Sequence, residues 1–194
     1  MEVLLINIGH PRTGTGYMTT LYQAFGLNIG HEVLKSDGIS DWAFCFDHLS
    51  SWTSPDLTFA QFKPKYLTYN VRDPWTAIPS IHFTIENAIA KRSEVINLNA
   101  YSGINRAVFS LLEFDRQVRT NRQVDYVIRI EHAADDILNI PFMTEGQVPI
   151  DKYNTRPHRD LTLEEWKSVD EELLTELDGY CQRYGYPTVS SRLS

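Results

Sequence analysis

The stretch VLLINIGHPRTGTGY, residues 3–17, decides the fold of this chain. Residues 3–8 are apolar except for one Asn and predict a buried strand, and a helical pattern predicted over 16–25 follows the glycine-rich turn. Successive backbone N–H groups in such a turn, with the positive end of the following helix, can bind anionic oxygens. Arg12 can hold a phosphate or sulfate in a fork, and the hydroxyls of Thr13 and Thr15 can donate to neighbouring oxygens. The residues therefore predict a strand, a phosphate loop and a helix, with a turn that binds nothing as the alternative.

The loop differs from the Walker loop of nucleoside triphosphatases. Gly9 and Gly14 have the Walker spacing, but residues 15–16 are Thr-Gly where that motif has Lys and then Ser or Thr. The strand predicted over 66–71 is followed by Arg72, whereas a triphosphatase needs an acidic residue at such a strand end to hold magnesium. A cation at this point favours a second anion. The pattern thus argues against a small-metabolite kinase, which is the less favoured alternative.

Two separated segments carry a resemblance to a known family. They are GHPRTGTGY at residues 9–17 and VRDPWTAIPS at residues 71–80, in that order and about 60 residues apart. They resemble the 5′-phosphosulfate loop and the 3′-phosphate motif of the sulfotransferases, which take a sulfuryl group from 3′-phosphoadenosine-5′-phosphosulfate (PAPS). In the second motif an Arg at a strand end and a Ser eight residues later, on the first turn of a helix, bind the 3′-phosphate, and Arg72 and Ser80 have this spacing. Weaker similarity covers residues 26–32, 127–131 and 154–186.

The resemblance implies an α/β fold of the P-loop-like sulfotransferase type, with a central parallel sheet flanked by helices. It implies PAPS as the cofactor and 3′-phosphoadenosine-5′-phosphate (PAP) as the product. Since ligands bind outside the carboxyl ends of parallel strands, both motifs are expected to reach one nucleotide. The donor-binding residues implied in the two motifs are Pro11, Arg12, Thr13, Gly14, Thr15, Gly16, Tyr17, Arg72 and Ser80.

Other readings of these segments stay open. Arg-Asp-Pro is also typical of a strand end and a turn in which Asp73 caps the next helix. Sulfotransferases often close a basic C-terminal loop over the nucleotide, which makes Arg156 and Arg159 candidates, although charged loops usually face water. Gly16 stands where the family has a second Thr or Ser, so one hydrogen bond worth about 1 kcal/mol is expected to be lost.

The reaction implied is an in-line sulfuryl transfer to a hydroxyl or amine of a small molecule or glycan. The loop amides and Arg12 would stabilise the charge on the leaving phosphate, and a general base would take the acceptor proton. No metal is expected, because the transferred group carries little charge. Carbohydrate sulfotransferases that use a glutamate base make Glu32 the first choice, and the histidine base of phenol and steroid enzymes keeps His31 and His48 open. Glu32 has a structural salt bridge or a helix cap as its alternative role.

Composition favours one domain over residues 1–194, since the chain is 42% hydrophobic and long enough to bury a core. The 25 acidic residues against 18 basic ones give a formal charge of −7, which argues against general binding of nucleic acid or anionic membranes. Two cysteines do not indicate a disulfide framework or a zinc site. The apolar run after Met1 is far shorter than the ~20 residues that span a bilayer, so a cytoplasmic protein is expected, unlike the membrane-anchored sulfotransferases.

Residues 33–65 are expected to contain much of the acceptor pocket. Aromatic residues within 33–65 could form a platform for a sugar ring or an apolar alcohol, or belong to the core, and residues 91–105 could form a flap. A non-catalytic nucleotide-binding protein that keeps both phosphate sites is the second functional alternative. The pattern also predicts an extended piece at 27–30, helices at 75–90 and 103–120, a strand at 125–130, and a helix from a Thr162–Glu165 capping box through Tyr184.

Overall fold

A five-stranded, all-parallel sheet carries the phosphate-loop segment. The computed structural model describes residues 1–47, 49–51, 53–84, 92–143 and 158–194. The sheet order is β2-β3-β1-β4-β5, and the strands are β1 (Glu2–Ile8), β2 (Ile29–His31), β3 (Gly38–Ser40), β4 (Lys63–Val71) and β5 (Tyr126–Arg129). The strands after β1 in the chain lie first on one side of it and then on the other. The reversal between β1 and β4 is the position at which open parallel sheets bind ligands, outside the carboxyl ends of the strands.

Burial explains why these segments form strands. The carboxyl halves of β1 and β4 are buried, as expected for a parallel sheet, and apart from Asn7, Thr68 and Asn70 their buried residues are apolar. The α1 helix (Thr15–Ala24) packs its apolar side onto this sheet. The buried residues that form the core here are Leu5, Met18, Leu21, Tyr22, Ile29, Ile128, Ala133, Ile137, Ile140 and Met143.

The further α-helices of the described ranges follow in chain order. They are α2 (Pro74–His82), α3 (Gly103–Asn121), α4 (Ala133–Asp136), α5 (Leu163–Lys167), α6 (Glu171–Tyr184) and α7 (Val189–Leu193). The chain groups into two compact units, one of Met1–Val71 with Gln117–Thr155 and one of Arg72–Arg116 with Arg156–Ser194. The single domain expected from length stays a prediction. Within the described ranges, no helix is both long enough and apolar enough to cross a membrane.

The parallel α/β architecture expected from the sequence is confirmed, and two helix predictions are wrong. The helix predicted over 75–90 ends at His82, where the Thr84 N–H donates to the Ile81 carbonyl oxygen at 3.0 Å and leaves the helical ladder, and residues 85–90 lie outside the described residues. The helix predicted from Thr162 through Tyr184 is two helices, α5 and α6. The Asp170 N–H donates to the Asn105 side-chain oxygen at 3.0 Å, which removes it from a continuous helical ladder.

Candidate functional site

The loop after β1 leads into α1 and leaves the start of that helix open. Gly14 is the N-cap residue, with φ 99°, and has no side chain that could accept the first helical N–H groups. The first intrahelical bond runs from the Met18 N–H to the Gly14 carbonyl oxygen at 2.9 Å. The N–H groups of Thr15, Gly16 and Tyr17 therefore have no intrahelical acceptor. Together with the positive end of the helix dipole, these donors form the arrangement that binds anions.

A buried asparagine of the sheet fixes the orientation of the loop. The Asn70 Nδ2 donates to the Thr13 carbonyl oxygen at 2.8 Å and to the Thr13 hydroxyl oxygen at 2.9 Å. In a trans peptide the C=O and the next N–H point in opposite directions, so the Gly14 N–H is directed away from Asn70. The Thr13 hydroxyl donates to the His10 carbonyl oxygen at 2.7 Å. This hydroxyl, a predicted ligand contact, is engaged inside the protein.

The same network extends through β1 and β3 to the first residue of α1. The Asn7 Nδ2 donates to Asn70 Oδ1 at 2.9 Å and to Ser40 Oγ at 2.8 Å. The Ser40 hydroxyl donates to the Thr15 carbonyl oxygen at 2.9 Å, and the Thr68 hydroxyl donates to Asn7 Oδ1 at 2.9 Å. The four sheet side chains in this network are fully buried. A satisfied buried network is rigid, so the loop is held in place without a ligand.

Two glycines of the loop allow this close approach. A Cβ added at Gly9 would lie 2.5 Å from Asn70 Oδ1, and one at Gly14 would lie 2.7 Å from Ile130 Cδ1. Gly14 also has a left-handed backbone, which L side chains rarely adopt. The loop sequence is thus required by contacts to β4 and to the segment after β5.

Arg12 lies at the tip of the loop in an unusual backbone conformation. Its φ is 84°, and both it and Pro11 are partly exposed. A non-glycine residue in this region costs on the order of 1–3 kcal/mol and persists where its surroundings hold it. Here the Thr13 N–H donates to the His10 carbonyl oxygen at 2.9 Å and closes the turn. The turn places a guanidinium-bearing residue next to the open N–H groups of the helix start.

His31, a predicted candidate base, contacts the loop. It ends β2, and its Nε2 lies 3.2 Å from the Thr15 hydroxyl oxygen. Burial lowers the pKa of His31, while the negative charge of Asp41 acts in the opposite direction. The neutral imidazole that results near pH 7 is the form a general base needs.

Glu32 has a constrained backbone and a partly exposed side chain. Its φ is 57°, and its N–H donates to the Ser40 carbonyl oxygen at 2.9 Å. The Ser51 hydroxyl donates to the Glu32 carbonyl oxygen at 3.1 Å, and the Thr53 hydroxyl donates to the same oxygen. These contacts hold Glu32 directly after His31, at the carboxyl end of β2.

Asp41 belongs to this cluster and is missing from the residues expected at the site. It follows β3 directly, is fully buried, and donates its N–H to the Asn7 carbonyl oxygen at 2.9 Å. The pKa of Asp41 is raised to about 6, mainly by burial. The charge of Glu32 also raises the pKa, whereas the Ser51 hydroxyl, the Ala43 N–H and His31 lower it. The sequence signal for Asp41 was an acidic residue at the end of a short apolar strand. That strand, β3, is not among the strands predicted from the sequence.

The second predicted motif belongs to the other compact unit. Arg72 follows β4, and its Nε donates to the Thr76 hydroxyl oxygen at 3.0 Å. Asp73 Oδ1 accepts the Trp75 N–H at 3.0 Å, so the predicted helix cap is confirmed. Asp73 Oδ2 lies 2.7 Å from an Arg192 guanidinium nitrogen. The carboxylate of this motif thus has a structural role at the start of α2.

Ser80 does not have the placement that the family motif implies. The motif puts its serine on the first turn of a helix, but Ser80 lies in the last turn of α2, which begins at Pro74. Its side chain is buried, with 1% of the residue exposed. The spacing of eight residues from Arg72 is present, but the position within the helix differs.

The basic residues predicted to cover the nucleotide are only partly described. Arg156 lies outside the described residues, as does the alternative base His48. The Arg159 guanidinium forms two hydrogen bonds with the Glu165 carboxylate, at 2.7 and 2.5 Å, and lies 4.9 Å from the Phe83 ring centre. Arg159 would have to exchange these contacts to bind a phosphate.

The first unit therefore brings together the loop, His31 and Glu32, with Asp41 as an added member. Arg72, Ser80 and Arg159 lie in the second unit. No protein-family model, curated protein or solved structure matches this chain.

Proposed function

We propose that this chain is a PAPS-dependent sulfotransferase of the P-loop-like type, in which loop residues 9–16 bind the 5′-phosphosulfate of the donor. The observation that supports the proposal most is the loop held by Asn70 and Asn7, whose peptides leave the Gly14 N–H and the first helical N–H groups available to an anion. The strand order with this loop directly after the central β1 adds support.

The proposed chemistry is an in-line transfer. The acceptor oxygen forms a bond to sulfur as the bond between sulfur and the 5′-phosphate oxygen breaks, and PAP leaves. Negative charge grows on the leaving phosphate, where fixed N–H donors and the Arg12 guanidinium stabilise it without reorganisation. The proton released by the acceptor passes to a general base at the same edge of the sheet.

The base is proposed among residues 31–32. His31 lies 3.2 Å from a loop hydroxyl, and burial lowers the pKa of His31 so that it is neutral near pH 7. Glu32 has its backbone fixed by three hydrogen bonds, while its side chain is partly exposed at the carboxyl end of β2.

The identity of the base is tested by measuring turnover of labelled PAPS with a panel of hydroxyl and amine acceptors. The proteins compared are the wild type, Glu32→Gln and His31→Gln. Loss of a general base lowers turnover by about 10² to 10⁴, and we expect one of the two variants to show this while it binds PAP within a few-fold of the wild type. Equal turnover in all three proteins would remove both residues from this role. PAP binding with no turnover of any acceptor would instead identify a non-catalytic nucleotide-binding protein.

Arg72→Ala tests the proposed contact to the 3′-phosphate, with exposed Arg116→Ala as the matched control. A charge-assisted contact contributes about 1.5–3 kcal/mol, so we expect Arg72→Ala to lose most of the preference for PAP over AMP in parallel calorimetric titrations. In the part of the chain that the structure describes, the salt-bridge partner of Arg116 is Glu113 on the same helix surface. Replacement of Arg116 should leave the preference for PAP over AMP unchanged. Unchanged discrimination in Arg72→Ala would refute the second motif.

A further inference from the structure

The carboxyl ends of β2 and β3 and the start of α1 place three polar side chains in one cluster. His31 of β2 pairs in register with Ser40 of β3, and Asp41 directly follows Ser40. Thr15, the first residue of α1, lies 3.2 Å from His31 Nε2 through its hydroxyl. The cluster of Thr15, His31 and Asp41 therefore joins the proposed anion loop to a buried carboxylate.

Asp41 is unusual because half of its carboxylate has no donor. Its Oδ1 accepts the Ala43 N–H at 2.9 Å, whereas Oδ2, buried from solvent, accepts no hydrogen bond from the described part of the chain. The Ser51 hydroxyl, which lies close enough to lower the pKa of Asp41, donates its hydrogen to the Glu32 carbonyl oxygen at 3.1 Å. Leaving a buried acceptor without a donor costs about 1–3 kcal/mol or more for a charged group. The cost of burying this carboxylate is expected where its negative charge acts on a neighbouring side chain, here His31.

The direction of the hydrogen bond between His31 and Thr15 decides what the loop offers to an anion. If Nε2 carries a proton, it donates to Thr15 Oγ1, and the threonine hydrogen is available for an anionic oxygen. If Nε2 carries none, the threonine hydroxyl donates to it and turns only lone pairs towards the anion. The first state binds an anion and the second repels it.

We propose that anion binding at the loop is linked to protonation of His31 at Nε2, and that Asp41 is the positioning residue whose buried carboxylate supplies the counter-charge. The inference rests on the proposed function in one respect, namely that the anion is the phosphosulfate or phosphate of the donor.

The charges around the cluster set the direction of the effect. Burial lowers the pKa of His31 and Asp41 raises it, so the free protein has a neutral His31 near pH 7. Glu32 adds a second negative charge next to Asp41, and Arg12 is the positively charged residue of the loop. A bound dianion near Thr15 adds further negative charge and favours the imidazolium. Binding of the donor therefore takes up a proton at His31 and leaves Glu32 as the general base in the donor complex.

The test is long-range ¹H–¹⁵N NMR of the histidine rings across a pH titration, with the His31 signal assigned by its loss in His31→Gln. Spectra are recorded for the free protein, with PAP, and with inorganic pyrophosphate. We expect PAP to raise the pKa of His31 by about one unit, which corresponds to about a tenfold coupling between proton and ligand.

Three variants separate positioning from a structural role. Asp41→Asn keeps an oxygen for the Ala43 N–H and removes the charge, so we expect a lower pKa of His31 and PAP binding several-fold weaker. Exposed Asp56→Asn is the matched control and should change neither quantity. Thr15→Ser should keep the coupling and Thr15→Val should remove it.

The outcomes distinguish this inference from the proposed function. PAP binding without movement of the pKa of His31 would overturn the inference and leave the donor assignment intact. If pyrophosphate moves that pKa but PAP does not bind, the coupling stands and the donor is wrong. If neither ligand binds, both proposals fall.

Discussion

At the scale of single residues, buried amide side chains of the sheet hold the loop in place. Asn70 and Asn7 are both fully buried and use their amides to connect the loop with the sheet. Their position explains why residue 9 must be Gly, since a Cβ there would lie 2.5 Å from Asn70 Oδ1. A loop fixed before the ligand arrives gains affinity because less ordering is needed on binding.

Gly14→Ala tests whether this fixed geometry is needed for anion binding, and Gly26→Ala is its matched control. Both glycines have a left-handed φ, 99° and 89°, so each alanine carries a similar strain of roughly 1–2 kcal/mol. Only Gly14 meets a neighbour, Ile130 Cδ1 at 2.7 Å, whereas nothing lies within 4 Å of a Cβ at Gly26. We expect a larger loss in the free energy of unfolding for Gly14→Ala because of this contact, and PAP binding about tenfold weaker or worse only in Gly14→Ala.

Denaturant unfolding and calorimetric titration of both variants measure these two quantities. Equal PAP affinity in the two proteins would show that the loop geometry does not matter for binding.

The loop residues were predictable from the sequence, because Gly9, Arg12 and Gly14 are adjacent in the chain and their chemistry is local. Asn70 and Asp41 were not predictable as site residues. Their roles depend on which strands lie next to β1, and a single sequence contains no direct signal for that order. The sequence placed His31 and Glu32 at this edge, and the contact between His31 and Thr15 agrees with that placement.

At the scale of elements, most strands were predicted, including the short β2 and β5 near the expected ranges 27–30 and 125–130, whereas β3 was not. Strands β1 and β4 and helices α1 and α3 lie close to their expected ranges. Strand β3 has three residues, Gly38–Ser40, which is too short for an alternating or apolar pattern to be recognised. Its absence from the expected elements is also why Asp41 was missed.

Helix ends depended on single local or tertiary contacts. The predicted continuation of α2 stops where the Thr84 N–H donates to the Ile81 carbonyl oxygen, three residues back. The predicted single C-terminal helix is interrupted where the Asn105 side-chain oxygen accepts the Asp170 N–H. The Thr162–Glu165 capping box, in contrast, was readable in the sequence and is confirmed. Local caps are therefore predictable, whereas interruptions imposed by distant residues are not.

At the scale of the whole molecule, the buried Asp41 carboxylate opposes folding near neutral pH. Its pKa is raised from the ordinary value of 3.8 to about 6 in the folded protein, so the folded state binds more protons than the unfolded state between these values. The free energy of unfolding therefore falls as the pH rises through this window, by an amount on the order of 3 kcal/mol for this group. The lowered pKa of His31 acts in the opposite sense, towards loss of stability in acid.

Asp41→Asn removes this cost. We expect the variant to be more stable than the wild type at pH 7, by roughly 1–3 kcal/mol, and close to the wild type at pH 4. Denaturant unfolding at both pH values measures the difference, and exposed Asp56→Asn should follow the wild type at each. A variant less stable than the wild type at pH 7 would mean that the carboxylate is a net stabilising group. Higher stability with weaker PAP binding is the combination expected of a functional residue.

Parallel calorimetric titration of the whole chain with PAP, AMP and magnesium-ATP tests the proposed donor site. The account predicts tight binding of PAP, weaker binding of AMP and no preference for magnesium-ATP, because residues 15–16 are Thr-Gly and the strand ending at Val71 is followed by Arg72. Preference for magnesium-ATP, or no binding of PAP, would contradict the proposal of a sulfotransferase donor site.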